Sequence, residues 1–264
     1  MLFRSSWGPS QHKGNIRGII ESLDYIKSVG ANAVWLTPVF ESLRIDGQDA
    51  TYDLLDGTGY YTSNYFKIDP KFGTLEDMKE LVAKAHAKGM YVIMDGVFGH
   101  AKANVSTVSP KGNKLVLSKR CRDWDDYVDK MSLRHGTCFK TQESMEFLKE
   151  FAAYWIDELK IDGWRLDQAY QMAPEEWKVI RGVVTKTSAK KSNAYLMNGK
   201  KVQPLGFMVG EYWSEKPMAL ERNGFKDGAL PAVMNFPVRA TLLRVLATTG
   251  EINKKNCADR KSVV

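Results

Sequence analysis

Apolar residues along this chain follow two alternating periods. Between residues 15 and 29, Ile16, Ile19, Ile20, Leu23, Ile26 and Val29 recur at helical spacing, and Gly30 supplies a stop. The next apolar run, Ala33 to Thr37, is too short for a helix and ends at Pro38, so it reads as a strand. The pair then recurs. Thr74-Leu75-Glu76-Asp77 has an N-cap pattern; Met78, Leu81, Val82 and Ala85 form a stripe, Gly89 stops it, and Tyr91 to Asp95 is the strand. A third helix over 141–160 turns Met145, Leu148, Ala152, Trp155, Ile156 and Leu159 inward, ahead of a strand from Ile161 to Asp167. Pro174 opens a helix carrying Trp177 and Ile180. Phe207 to Glu211 and Ala232 to Phe236 are further strands, and a last helix runs from about Pro237 to Thr248.

Apolar strands alternating with amphipathic helices predict an α/β fold with a parallel sheet covered by helices. Two arrangements fit, a closed (β/α)8 TIM barrel and an open doubly wound sheet. No GxGxxG or Walker pattern follows any strand, which weighs against the second. From about Ala101 to Gln142 the rhythm breaks for longer than an ordinary connection, so this stretch reads as an excursion domain on a strand-end loop. The expected organisation is a barrel start over 1–100, the excursion over 101–142 and a barrel continuation over 143–258.

Composition narrows the class. In 264 residues, 38 Lys+Arg against 31 Asp+Glu give +7, and 44% of residues are hydrophobic, which is ordinary for a globular protein. The richer basic stretches, Lys111 to Arg122 and Lys186 to Lys201, lack interleaved aromatics and any nucleic-acid motif, so they read as solvated surface and no nucleic-acid partner is expected. No run approaches the roughly 18 apolar residues of a membrane helix, so no membrane partner is expected either. Cys121, Cys138 and Cys257 show no metal-ligand spacing; Cys121 and Cys138 lie close enough in sequence for a disulfide, with free thiols as the alternative. Compartment stays open between periplasmic or secreted and cytoplasmic, and so does oligomeric state.

Polar residues gather where the strands end: Asp95 and His100, Arg165 and Asp167, and Glu211. In a (β/α)8 barrel that edge carries the active site. Each has a plain structural alternative, a helix cap for Asp95 or an ion pair for Arg165 and Asp167, which share one side of a strand. Glu211 is harder to dismiss, since the strand ends Gly-Glu-Tyr-Trp and sets a carboxylate among aromatics suited to a sugar. Carboxylates at three strand ends favour a glycosidase-type site.

These residues resemble the α-amylase superfamily of glycoside hydrolases. Asp95-Gly96-Val97-Phe98-Gly99-His100 is similar to its first conserved region, Gly163 to Ala169 to its second, and Val209 to Trp213 to its third. Gly59-Tyr60 and the run Tyr65 to Thr74 resemble the segment before the second barrel helix. The similarity runs from about Asn15 to Leu243, and the order and spacing of the set make it specific. The resemblance implies a retaining enzyme acting on α-glucosidic bonds of starch, maltodextrin or related α-glucans. It implies Asp167 as nucleophile, Glu211 as general acid/base, and Arg165 holding Asp167 ionised. It implies His100 and Tyr60 on the sugar before the scissile bond, Asp95 in support, and Trp213 and Tyr212 as candidate sugar contacts. Glucanotransferases, trehalose synthases and sucrose isomerases use the same residues and stand as alternatives, as does a non-catalytic amylase-like sugar-binding or interaction protein. A phosphate- or nucleotide-binding protein is a further alternative, which the missing glycine loops oppose.

Departures from the pattern set further expectations. Gly99 stands where many α-amylases carry an asparagine calcium ligand, so the usual site lacks that ligand; calcium in the parent protein stays open, and no other metal or cofactor is implied. Tyr61 stands where exo-acting members commonly carry aspartate, which favours endo action or oligosaccharide cleavage. Nothing after Phe236 matches the family's fourth region, which supplies a third carboxylate. The expectation is therefore a truncated piece, inactive alone. Asp259 to Val264 reads as one translated frame of a sequencing adapter, so residues 259–264 are expected to be non-native.

Overall fold

The computed structural model describes residues 14–48, 56–118, 136–214 and 216–246. Its elements begin with helix α1 (Ile16–Ser28), strands β1 (Ala33–Leu36), β2 (Phe40–Glu41) and β3 (Asn64–Ile68), and helix α2 (Leu75–Ala87). There follow β4 (Tyr91–Val97), β5 (His100–Lys102), β6 (Leu117–Ser118), β7 (Gly136–Phe139), helix α3 (Met145–Leu159), β8 (Gly163–Asp167) and helix α4 (Pro174–Ser188). The described chain ends with β9 (Tyr195–Met197), β10 (Lys200–Val202), β11 (Phe207–Gly210), helix α5 (Pro217–Leu220), β12 (Ala232–Val233) and helix α6 (Phe236–Leu246).

Five strands form one parallel sheet in the order β1-β4-β8-β11-β12. Spatial order follows chain order without a reversal, so the sheet lacks the switch point at which a doubly wound fold turns back on itself. These are the five strands the apolar runs predict. The first two helices are started by side chains that satisfy free backbone donors. Asn15 Oδ1 accepts from the Gly18 amide at 2.8 Å, and Thr74 and Asp77 form a reciprocal capping box. Such caps each contribute about 1 kcal/mol. The α1 stripe is narrower than the spacing predicts: Ile16 to Ile26 are buried, whereas Val29 is the C-cap and is 57% exposed, because the chain leaves helical geometry there.

Behind the sheet, Phe40, Tyr65, Phe151, Trp155 and Trp164 pack edge-on and tilted, with ring centroids 4.8–6.4 Å apart. Phe147 and Phe151, absent from the predicted α3 stripe, are among its most buried residues. The stretch that breaks the rhythm holds a three-stranded antiparallel sheet, β5-β7-β6. Cys138 on β7 is disulfide-bonded to a partner outside the described residues, where both Cys121 and Cys257 lie. Residues 259–264 and the end of the predicted last helix also lie outside them. A hairpin, β9 and β10, was not predicted; its turn is Asn198-Gly199, both at positive φ, a sequence signal for such a turn set within a basic surface stretch. Among the described residues, no helix is long and apolar enough to cross a membrane.

Candidate active site

The C-terminal ends of β4, β8 and β11 bring four charged side chains together. Parallel pairing sets Asp95 of β4 beside Arg165 of β8, and Val209 of β11 beside Arg165 from the other side. Arg165 and Asp167, two apart on one strand, point the same way into this edge. Arg165 Nη1 donates to both oxygens of Asp95, at 2.9 and 3.0 Å, and to Asp167 Oδ1 at 2.8 Å. Its Nη2 lies 2.7 Å from Glu211 Oε1. The guanidinium also sits over the Trp35 ring of β1, 5.2 Å from its centroid. Asp95 is fully buried, and Arg165 and Asp167 nearly so.

One cation thus faces three carboxyls in a water-poor site, and charge balance decides their acidity. The Asp95 carboxyl is raised to about 8: burial lifts it most, Arg165 pulls against that, and the Asp167 charge adds to the rise. Burial also raises Glu211, against the pull of Arg165 and with the push of the Asp167 charge. Burial alone would lower Arg165, but its three carboxylate neighbours outweigh that and hold it charged. The Gln168 amide donates to Glu211 Oε2 at 3.1 Å, which orients the carboxyl.

Tyr60 reaches this cluster from the loop after residue 56. Its hydroxyl donates to Asp95 Oδ2 at 2.9 Å, and burial, then the Asp95 charge, keeps it protonated. Gly59 before it has φ +83°, and a Cβ there would meet the Pro38 carbonyl, so only glycine turns the chain so sharply toward the sheet edge. Below Tyr60, buried Lys102 pairs with buried Asp56, and the Lys102 amide donates to Thr62 O at 3.0 Å. These ties fasten the tyrosine loop to β5.

His100 starts β5 and is half-buried; its Nδ1 is 2.9 Å from Gln171 Oε1, and its ring lies 6.0 Å from that of Tyr61. Trp213 follows β11 but is 69% exposed, stacked at a tilt on Phe236 at 4.9 Å, and Tyr212 is buried. Asp95, Arg165, Asp167, Glu211 and Tyr60 therefore form one connected cluster, with His100 joined through Gln171 and Trp213 at the periphery. Sequence reasoning missed Trp35, Gln168, Gln171 and Tyr170. Tyr170 is half-buried within reach of the Asp167 and Glu211 charges, which together with burial raise its hydroxyl. Only its position three residues after Asp167 hinted at this.

The residues do not fit an asparagine-based calcium site. A Cβ at Gly99 would lie 2.3 Å from Gln171 Oε1 and 2.4 Å from Gln171 Cβ, so Gln171 fills the space of the missing ligand. Among the described residues no group of three or more His, Cys, Asp or Glu could hold a metal ion.

A helix-covered parallel sheet with a carboxylate cluster at its C-terminal edge defines an α/β protein whose candidate site lies at the strand ends. Residues 3–137 match the description "Alpha amylase, catalytic domain", and the chain belongs to this family. It is 30% identical over 252 residues to the cyclomaltodextrinase of Thermoanaerobacter pseudethanolicus, covering 89% of this chain and 38% of that protein. It is likewise 30% identical to the intracellular maltogenic amylase of Bacillus subtilis, covering 89% of this chain and 36% of that one. The structure of AmyP in complex with maltose is 46% identical, with a TM-score of 0.77, covering 91% of this chain and 45% of that one. The α-amylase of Geobacillus thermoleovorans in complex with acarbose is 26% identical, with a TM-score of 0.67, covering 92% and 51%. The chain thus spans well under half the length of the curated relatives it matches.

Proposed function

We propose that this chain is part of a retaining glycoside hydrolase acting on α-glucosidic bonds of maltodextrins or related α-glucans. What carries the reading is the Arg165 guanidinium forked between Asp95, Asp167 and Glu211 at the strand ends. The names of the relatives, maltogenic amylase and cyclomaltodextrinase, support the substrate class. Within this reading the five strands are the second to sixth of a (β/α)8 barrel. Residues 1–100 and 143–258 belong to the barrel, and residues 101–142 form its excursion domain. The remaining strands and a third carboxylate come from further polypeptide, as the coverage of the relatives suggests.

In this reading Glu211 starts protonated, the form that burial favours by raising its pKa, and gives its proton to the glycosidic oxygen. Asp167 attacks the anomeric carbon as the bond to that oxygen breaks, forming a glycosyl ester. Esterification removes the Asp167 charge that pushes Glu211 up, so Glu211 becomes the stronger acid and sits ionised as the base for the second step. It then takes a proton from water, whose oxygen attacks the anomeric carbon and releases Asp167. Such a double displacement needs the two carboxyls about 5–5.5 Å apart with sugar bound. Arg165 keeps charge near Asp167, Asp95 and Tyr60 hold Arg165 and the loop, Tyr60 and His100 contact the sugar, and Trp213 offers an outer stacking face.

The test is hydrolysis of maltooligosaccharides and cyclodextrins by the complete protein, with product anomers followed by proton NMR. Retention of the α-anomer, and trapping of a 5-fluoroglycosyl ester on Asp167, are the expected results. Inverted product or a label elsewhere would remove the nucleophile assignment.

A further inference from the structure

Gln171 lies outside every motif that pointed to the site, yet it is 5% exposed and both ends of its amide are engaged. Its Nε2 donates to Gln168 Oε1 at 2.9 Å, which turns its Oε1 toward His100 Nδ1, also 2.9 Å away. Gln168 has φ +43°, an uncommon conformation for a side chain of its kind, and its backbone amide holds Glu211. Two residues, Gln171 and Gln168, therefore link His100 on the excursion strand to the carboxyl of Glu211.

We propose that Gln171 is a positioning residue that fixes the His100 ring and its tautomer for substrate. The inference rests on the glycosidase reading for its substrate, but not for its geometry. With Oε1 facing it, Nδ1 must carry a proton, so a neutral His100 ring presents Nε2 as an acceptor for a sugar hydroxyl. Gly99 is the other half of the device. Any Cβ there would collide with the Gln171 side chain, so glycine at 99 and glutamine at 171 depend on each other, and the amide of Gln171 ties β5 to the loop after β8.

The experiment uses the complete polypeptide that contains this chain. Nitrogen-15 spectra of the histidine rings, assigned with H100Q, report the tautomer, and maltotriose hydrolysis reports function. In Q171M, which keeps the volume but neither hydrogen bond, His100 is expected to become a tautomeric mixture and kcat/KM to fall roughly tenfold, about the effect of one lost hydrogen bond. Q171E retains an acceptor for Nδ1–H and is expected to keep the wild-type ring pattern. G99A alone should lower Tm by about 5 °C through overpacking, and G99A/Q171G should recover most of it. An unchanged His100 pattern in Q171M, or a mixture in Q171E, overturns the proposal. If Q171M does not fold, Q171E and the Gly99 pair decide it. A wild type that leaves glucans intact would sink the enzymatic reading while the ring spectra still judge Gln171.

Discussion

The two ends of the parallel sheet each bury a polar network, and the networks are built on opposite terms. At the N-terminal edge Asp162 accepts from the Val92 amide at 2.8 Å, pairs with His86 Nε2 at 2.9 Å and takes the Tyr195 hydroxyl, whose ring stacks on His86 at 3.6 Å. One carboxylate there meets three partners, and its charge is answered locally. At the C-terminal edge three carboxyls compete for one guanidinium, Arg165 Nε has no partner among the described residues, and Gln168 is held at positive φ. A satisfied network holds a fold together, whereas an unbalanced one stores the charge and strain that chemistry uses.

The contrast yields its sharpest break at the two proposed reacting carboxyls. D167N and E211Q in the complete protein should each cost roughly 10⁴-fold or more in kcat. Their Tm values should hold or rise, since each variant removes an ionisable carboxyl from an overcrowded cluster. A Tm fall comparable to that of a core substitution would mean that these groups are structural.

At the other edge the signs reverse. D162A strands three partners, of which Val92 and His86 are buried, and should cost about 3 kcal/mol of stability, read from urea unfolding. The activity of the molecules that remain folded should stay near wild type. Lost activity in a fully folded D162A sample would show that the two ends are coupled.

A finer test uses pH. Asp95 has its folded value raised from 3.8 to about 8, so its stabilising contribution is complete below about 4 and declines as pH rises through 8. Thermal melts from pH 4 to 8 should therefore slope downward more in the wild type than in D95N. Parallel slopes would mean that Arg165 answers the Asp95 charge fully. The smallest effect expected is in Y60F, which removes a hydroxyl that donates to Asp95 and should lower kcat/KM about fivefold. An unchanged value would leave Tyr60 only its ring.

Much of the architecture was legible because one-dimensional periodicity reports burial directly. The run Ala33-Val34-Trp35-Leu36 is a strand as its composition demands, and Gly30, Gly89 and Pro174 punctuate helices where expected. Asp95, Arg165, Asp167 and Glu211 stood out because strand ends in a parallel sheet converge. The β9–β10 hairpin escaped because its Asn198-Gly199 turn lies in a basic stretch that reads as solvated surface, and its two strands are only three residues long. Gln171 escaped because a neutral amide in a short 3-10 turn carries no periodic or charge signal.

By itself, then, the sequence determined the alternation of helix and strand, the edge at which polar residues end, and the family to which the chain belongs. These depend on local spacing and on short motifs, which survive in one dimension. Only the tertiary structure decided that a single guanidinium serves three carboxyls, that Trp213 lies at the rim, and that Gly99 is empty because Gln171 fills it. Those outcomes depend on contacts between different elements, 70 positions apart for Asp95 and Arg165 and 71 for His100 and Gln171, on burial that sets acidity, and on the exclusion of two side chains from one volume.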